Sequence, residues 1–179
     1  MNLVEIVTPL HLSTKRNYLD RMIDDKVECM KIAKKYGKEY WDGDRRYGYG
    51  GYKYIPGRWK PVAEALIEKY ELSENSSILD IGCGKAYLLL EMKKLIPGLQ
   101  VAGFDISSHA LENALSPIKE HLFIHSAKDY LPFETDSFDF AMSLGCYHNL
   151  PLMDLETAFS EISRVSKKQY VMVESFRNE

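Results

Sequence analysis

The sequence predicts an α/β fold in which a mostly parallel sheet carries helices on both faces. Two observations carry this reading. Short apolar runs at residues 78–81, 100–106, 122–125, 138–144 and 170–173 alternate with stretches of helical spacing, the order that βαβ units produce. The first run, Ile78-Leu79-Asp80-Ile81, passes into a helical stretch through Gly82-Cys83-Gly84, the form of a strand-to-helix turn where backbone approaches a ligand. An ordinary tight turn would read the same way, so the rest of the chain must decide. With 179 residues, 45% hydrophobic and 12% aromatic, the chain suits one compact unit with a real core.

In order, residues 13–37 read as helix. Ser13 or Thr14 offers an N-cap, Tyr18, Leu19, Met22, Ile23, Val27 and Met30 form a broad apolar face, and Gly37 ends it. A helix this long is unusual in a small domain, so a break at Asp24-Asp25 is the alternative. Residues 40–54 mix aromatics, glycines and arginines without a period and read as loop. Tyr40, Trp41, Tyr47, Tyr49 and Tyr52 supply stacking surface, and Arg45 and Arg46 supply forked donors for phosphate or carboxylate. Unstructured loops of this length are uncommon unless they bind something, yet the same aromatics could plug one edge of the core. Arg58 and Trp59 lead into a helix over 61–70, where Pro61 suits the first turn and Val62, Ala65, Leu66 and Lys69 share a face. A polar turn at 73–77 precedes the first strand. Helices follow at 86–94, at 108–115 before Pro117, and at 155–165, interleaved with the remaining strands.

Composition narrows the function classes. A net charge of -3 gives no long-range field to attract nucleic acid. Cys29, Cys83 and Cys146 are odd in number and lack C-x-x-C spacing, so neither a disulfide framework nor a metal site is expected, and a reducing cytoplasm fits. Residues 1–12 lack the basic leader and apolar core of a signal peptide, and no apolar run approaches the roughly 20 residues that span a bilayer. Neither nucleic acid nor a membrane is expected as a partner.

In doubly wound sheets the ligand sits beyond the carboxyl ends of the strands, where strand order reverses. Asp105 ends the second strand, 21 residues after Gly84. A carboxylate at that spacing can accept both ribose hydroxyls of a nucleotide lying over a glycine loop. Its alternative is a plain cap of the following helix.

Four segments in order carry a family resemblance: Leu79-Asp80-Ile81-Gly82-Cys83-Gly84, Val101-Ala102-Gly103-Phe104-Asp105-Ile106-Ser107, Leu131-Pro132-Phe133 with Ser137-Phe138-Asp139, and Glu161-Ile162-Ser163-Arg164-Val165. Together they resemble the class I S-adenosylmethionine-dependent methyltransferases over residues 78–174. The resemblance implies a three-layer α/β/α Rossmann-like doubly wound core at 73–179, with helices and an aromatic lid at 1–72. It also implies S-adenosyl-L-methionine as cofactor. Gly82, Cys83 and Gly84 would wrap the methionyl part, with Asp80 as the acid of the loop. Asp105 would take the ribose, Ile106 would pack on adenine, and Ser107 would complete that turn. Ala86 stands where a third glycine is common. Many relatives carry Gly-Asp-Ala where this chain has Ser126-Ala127-Lys128, so adenine is assigned to backbone at Ala127 and Lys128.

After the fourth strand, Ser143 and Leu144 lead into Gly145-Cys146-Tyr147-His148, where the family brings cofactor methyl and acceptor together. His148 is the candidate general base, with simple orientation of the acceptor as the alternative. Residues 40–59 take the place of a lid that selects the acceptor. Its character is similar to methyltransferases of bacterial surface-polysaccharide clusters, whose acceptors are sugars or nucleotide-linked intermediates. The family sheet normally continues past a fifth strand, but this chain ends at Phe176-Arg177-Asn178-Glu179. C-terminal strands are thus expected to be missing, with the open edge covered by the N-terminal segment or by a second subunit in a homodimer.

Overall fold

The computed structural model describes residues 4–13 and 24–173. Strands β1 (Ser77–Ile81), β2 (Gln100–Asp105), β3 (Leu122–Ile124), β4 (Phe138–Leu144) and β5 (Ser166–Met172) form one all-parallel sheet in the order β3-β2-β1-β4-β5. The order reverses between β1 and β4, which places a crevice beyond their carboxyl ends. The described helices are α1 (Thr8–Leu12), α2 (Lys26–Ala33), α3 (Lys38–Asp42), α4 (Lys60–Tyr70), α5 (Tyr87–Leu95), α6 (Ser108–Glu112) and α7 (Leu152–Val165).

Alternation along β1 sorts side chains into two cores. Ile78 packs with Val62 and Leu66 of α4 and Leu89 and Met92 of α5. Leu79 and Ile81 face the other way, toward Phe104 and Ala158, Ile162 and Val165 of α7. Full burial of each such aliphatic side chain contributes about 1.5–3 kcal/mol, so a helix on each face is what an apolar parallel sheet demands.

Several elements differ from the sequence reading. Residues 40–54 contain α3, and the following chain folds back on it: Tyr49 N–H donates to Tyr40 O at 2.8 Å and Tyr52 N–H to Trp41 O at 2.9 Å. A side chain on Gly48 would lie 2.1 Å from Tyr40 O, so glycine permits this close return. The helix predicted at 13–37 is described only as α2, whose N-cap Asp25 accepts from Glu28 N–H at 3.1 Å. Residues 14–23, which carry Tyr18, Leu19, Met22 and Ile23, lie outside the described residues, as do Phe176 to Glu179. The predicted helix 108–115 closes at Glu112, and a 3-10 turn, Ile118–His121, follows Pro117. Helix α7 starts three residues early, and β5 starts at Ser166 instead of Tyr170. Exposed Lys167, Lys168 and Gln169 hide that strand from an apolar-run reading.

The Leu131-Pro132-Phe133 and Glu161…Arg164 segments prove to be halves of one clamp. Leu131 N–H donates to Glu161 Oε2 at 2.8 Å, and Arg164 donates to Leu131 O at 2.9 Å and Phe133 O at 2.7 Å. Arg164 also pairs with Glu161 at 2.6 Å, and the bond holds the Glu161 carboxyl below its usual range. The clamp fixes the loop between β3 and β4 to α7. Replacing Arg164 with Met removes two carbonyl contacts and strands a carboxylate that is 6% exposed. Unfolding free energy measured in urea should fall by about 2–4 kcal/mol. A variant as stable as the parent would show that the clamp contributes nothing net.

Candidate functional site

The β1 turn is built on left-handed backbone. Gly82 has φ +76° and Gly84 φ +56°, and Ala86 holds φ +55° where glycine would sit without strain. Gly82 and Cys83 N–H both donate to Phe104 O, at 2.9 and 3.0 Å, which binds the turn to the tip of β2. Asp105 then staples the two strand-end turns together. Its Oδ2 accepts from Gly84 N–H at 2.8 Å and its Oδ1 from Ser107 N–H at 2.9 Å. The capping role falls to Ser107, whose Oγ accepts from Ala110 N–H at the start of α6 at 3.1 Å.

Register explains why two carboxyls share this place. Asp80 pairs with Gly103 across β1 and β2, so Asp105, two residues on, is its diagonal neighbour on the same face. Both are buried, at 5% and 8% exposure. Burial first, and then the charge of Asp105, pushes the Asp80 carboxyl up to about 8. Burial also raises Asp105, opposed by the N–H groups of Ser107, Gly84 and Ile106. The Cys83 and Cys146 thiols sit in the same field. Burial and the two aspartates push Cys146 up to about 12 and Cys83 well above its ordinary value, so neither is a thiolate at neutral pH.

The aromatic segment lies directly over this turn. Trp41 donates its indole N–H to Ser107 Oγ at 2.8 Å and Tyr36 O at 3.1 Å. It stacks on Tyr49 with centroids 5.1 Å apart, while Tyr40 packs edge-on and Tyr52 stacks on Tyr87 at 5.1 Å. Burial, followed by the nearby Cys146 and Asp105, raises the Tyr36 phenol. Beneath Trp41, Lys85 is 4% exposed and donates to both Asp42 carboxylate oxygens, at 2.7 and 2.8 Å, and to Tyr52 O at 2.8 Å. His109 Nε2 lies 2.7 Å from Asp42 Oδ2. Burial works to raise the Asp42 carboxyl, but Lys85 and His109 together hold it below its usual range.

The predicted lid residues therefore divide. Trp41 covers Gly84, and Tyr40, Tyr49 and Tyr52 pack around Trp41. Arg46 instead pairs with Asp24 at 2.5 Å, and with Tyr47 it lines a separate groove beside Cys29 and Met30 of α2. Arg45 donates to Gly48 O within its own loop. Arg58 is half-buried, and Trp59 packs against the core. Among the strand-end residues, Ile106 is 58% exposed, and Ala127 is buried beside exposed Lys128. Ser143 is fully buried and donates to Ile81 O at 3.0 Å, so its hydroxyl braces β4 against β1. Leu144 is half-buried, and His148 is exposed on the 3-10 turn Tyr147–Asn149, beyond β4. Tyr36, Asp42, Lys85 and His109 were missed by sequence reasoning. Only Lys85, a charge inside a glycine turn, gave a local signal.

Comparison with known proteins identifies the family. Residues 78–169 match the family model described as "Methyltransferase domain". The chain belongs to that methyltransferase domain family. A mouse (Mus musculus) protein named mitochondrial arginine-hydroxylase NDUFAF5 is 34% identical over 95 residues, 53% of this chain and 27% of that protein. The malonyl-[acyl-carrier protein] O-methyltransferase of Buchnera aphidicola subsp. Baizongia pistaciae is 30% identical over 149 residues, 82% of this chain and 52% of the enzyme. Among solved structures, a putative S-adenosylmethionine-dependent methyltransferase from Methanococcus maripaludis superposes with TM-score 0.54 at 25% identity, over 63% of this chain and 54% of that one. The chain spans about half the length, or less, of these relatives.

The raised Asp80 carboxyl has a consequence for stability. Because folding raises its value, the folded state holds this proton more tightly than the unfolded state. Its contribution is full at low pH and is lost as pH climbs from about 4 to about 8. Thermal or urea unfolding between pH 5 and 8 should therefore show a falling stability that Asp80→Asn flattens. Parallel curves for the two proteins would contradict the assignment.

Proposed function

We propose that this chain binds S-adenosyl-L-methionine beyond β1 and β2 and transfers its methyl group to an oxygen of a small-molecule acceptor. The observation that carries the reading is the pairing of two left-handed glycines with two buried carboxyls at the sheet's switch point. Two poorly solvated carboxyls, one of which keeps its proton up to about pH 8, favour an incoming cation that ionises them and disfavour the pyrophosphate of a dinucleotide, which argues against nicotinamide-dependent oxidation. The backbone of Gly82, Cys83 and Gly84 would hold the methionyl portion, with Asp80 beneath it. Asp105 would accept from the ribose hydroxyls, Ile106 would offer an apolar face to adenine, and Ala127 and Lys128 would border its edge. When bound, the sulfonium cofactor supplies an electrophilic methyl group. The protein's own task is then to position the acceptor in line with that group and exclude water.

His148, exposed on the turn after β4, would take or orient the acceptor proton in this reading. A histidine able to take a proton fits a hydroxyl or phosphate-type oxygen on a sugar or nucleotide-linked intermediate as the acceptor. By resemblance we assign that acceptor to bacterial surface-polysaccharide synthesis, in the cytoplasm. A homodimer that covers the outer edge of β5 belongs to the same reading. No helix among the described residues is long and apolar enough to cross a membrane.

Calorimetric titration with S-adenosylhomocysteine tests the cofactor assignment. Asp105→Ala should weaken binding by about 1–3 kcal/mol through loss of a charge-assisted hydrogen bond. Absence of binding to the parent protein would sink the reading. Because the mouse relative is named a hydroxylase, transfer itself must also be read, by following label from methyl-labelled cofactor into a panel of sugar nucleotides. Binding without any transfer would favour a non-catalytic cofactor-binding or partner-binding domain.

A further inference from the structure

We infer that Trp41 is a plug that holds the cofactor turn closed, on a hinged lid latched by Asp42 to Lys85 and His109. This rests on the proposed cofactor site and adds to it a gate that must open before the ligand enters.

The space Gly84 leaves is already filled. A Cβ there would lie 2.6 Å from Trp41 Cη2 and 3.1 Å from Cζ3, so the indole rests on the glycine where backbone would otherwise meet a ligand. Trp41 is 7% exposed, and its N–H is donated to Ser107 Oγ at 2.8 Å. The ring thus spans Gly84 and Ser107, the two residues whose N–H groups hold the Asp105 carboxylate. A ribose seeking Asp105 meets the indole first.

The neighbouring residue supplies the latch. Lys85 is a buried ammonium with three acceptors: the two Asp42 oxygens belong to the lid, and Tyr52 O lies just past the Gly50-Gly51 hinge. His109, at the start of α6, holds the same carboxylate from the other wall. Opening would take the Asp42 carboxylate away from a buried ammonium and leave it a single carbonyl, which makes the contact two-state instead of gradual.

The ends of the lid are built to bend. Tyr36 sits at φ +48° without being glycine, and Gly37 follows it. At the far end are Gly50 and Gly51, at φ +69° and +98°. A Cβ on Gly37 or Gly51 would meet nothing within 4 Å, so packing does not explain glycine at either place. Backbone freedom does, and paired hinges bracketing α3 are what a moving segment requires.

The chain has two tryptophans, so a Trp59→Phe background leaves Trp41 as sole reporter. Without ligand, acrylamide should quench Trp41 weakly in that background and several-fold more strongly after Asp42→Asn with Lys85→Met, a pair that removes the carboxylate together with the buried ammonium. In stopped-flow mixing with S-adenosylhomocysteine, the observed rate with the latch intact should level off at high ligand. The double variant should bind about tenfold faster, because its competent state is more populated. Trp41→Ala, followed by calorimetry, should bind more tightly than the parent. Unchanged quenching in the double variant, a linear concentration dependence with equal rates, or weaker binding by Trp41→Ala would each overturn the gate. If no variant binds ligand although quenching shows the lid open, the cofactor reading fails and the latch stands.

Discussion

Two carboxyl groups buried side by side set the terms for the rest of this molecule. Asp80 and Asp105 occupy neighbouring strand tips in a parallel sheet, where neither can be solvated and each penalises the charge of the other. The protein tolerates Asp105 by giving it backbone N–H groups from two turns, and that requirement fixes the path of both. Gly84 must present its N–H inward, which the left-handed conformation allows, and Gly82 must bring the chain back over Phe104 O. Thus the glycine turn, the register of β1 on β2 and the position of Ser107 are linked to one electrostatic constraint. A cation brought to this floor relieves the constraint, and a sulfonium carried on a ribose meets both parts of it.

The framework around that constraint was legible because it is local. Alternation of apolar runs with helical spacing marked β1 to β4 and the helices between them, and the 21-residue interval from Gly84 marked Asp105 as a strand-end carboxylate. Failures fell where local pattern and tertiary role part. Helix α3 was hidden because glycines on both sides suggested loop, although one of them serves the return of the chain on Tyr40. The first half of β5 was hidden by three exposed polar residues on a strand that follows α7 without a linker. Ser143 read as a site residue from its place at a strand end, whereas its hydroxyl is used inside the sheet.

The latch was invisible for a different reason. Asp42 lies 43 residues from Lys85 and 67 from His109, and nothing in any of the three segments announces a partner. What sequence offered was a question: whether the aromatics of residues 40–54 bind a ligand or plug the core. In the structure Trp41 lies on Gly84, and Tyr52 stacks on Tyr87. The arginines, expected to serve the acceptor beside them, are engaged elsewhere, with Asp24 and Gly48. Family membership accounts for residues 78–169. The aromatic segment lies upstream of that span.

Proton release on cofactor binding tests the buried-carboxyl site most directly. Calorimetry with S-adenosylmethionine near pH 7, repeated in buffers of different ionisation enthalpy, counts the protons that accompany binding. A site in which a cation ionises Asp80 should release a substantial fraction of one proton, and Asp80→Asn should remove that release. Binding with no proton change, or with uptake, would show that the Asp80–Asp105 floor does not receive the positive charge.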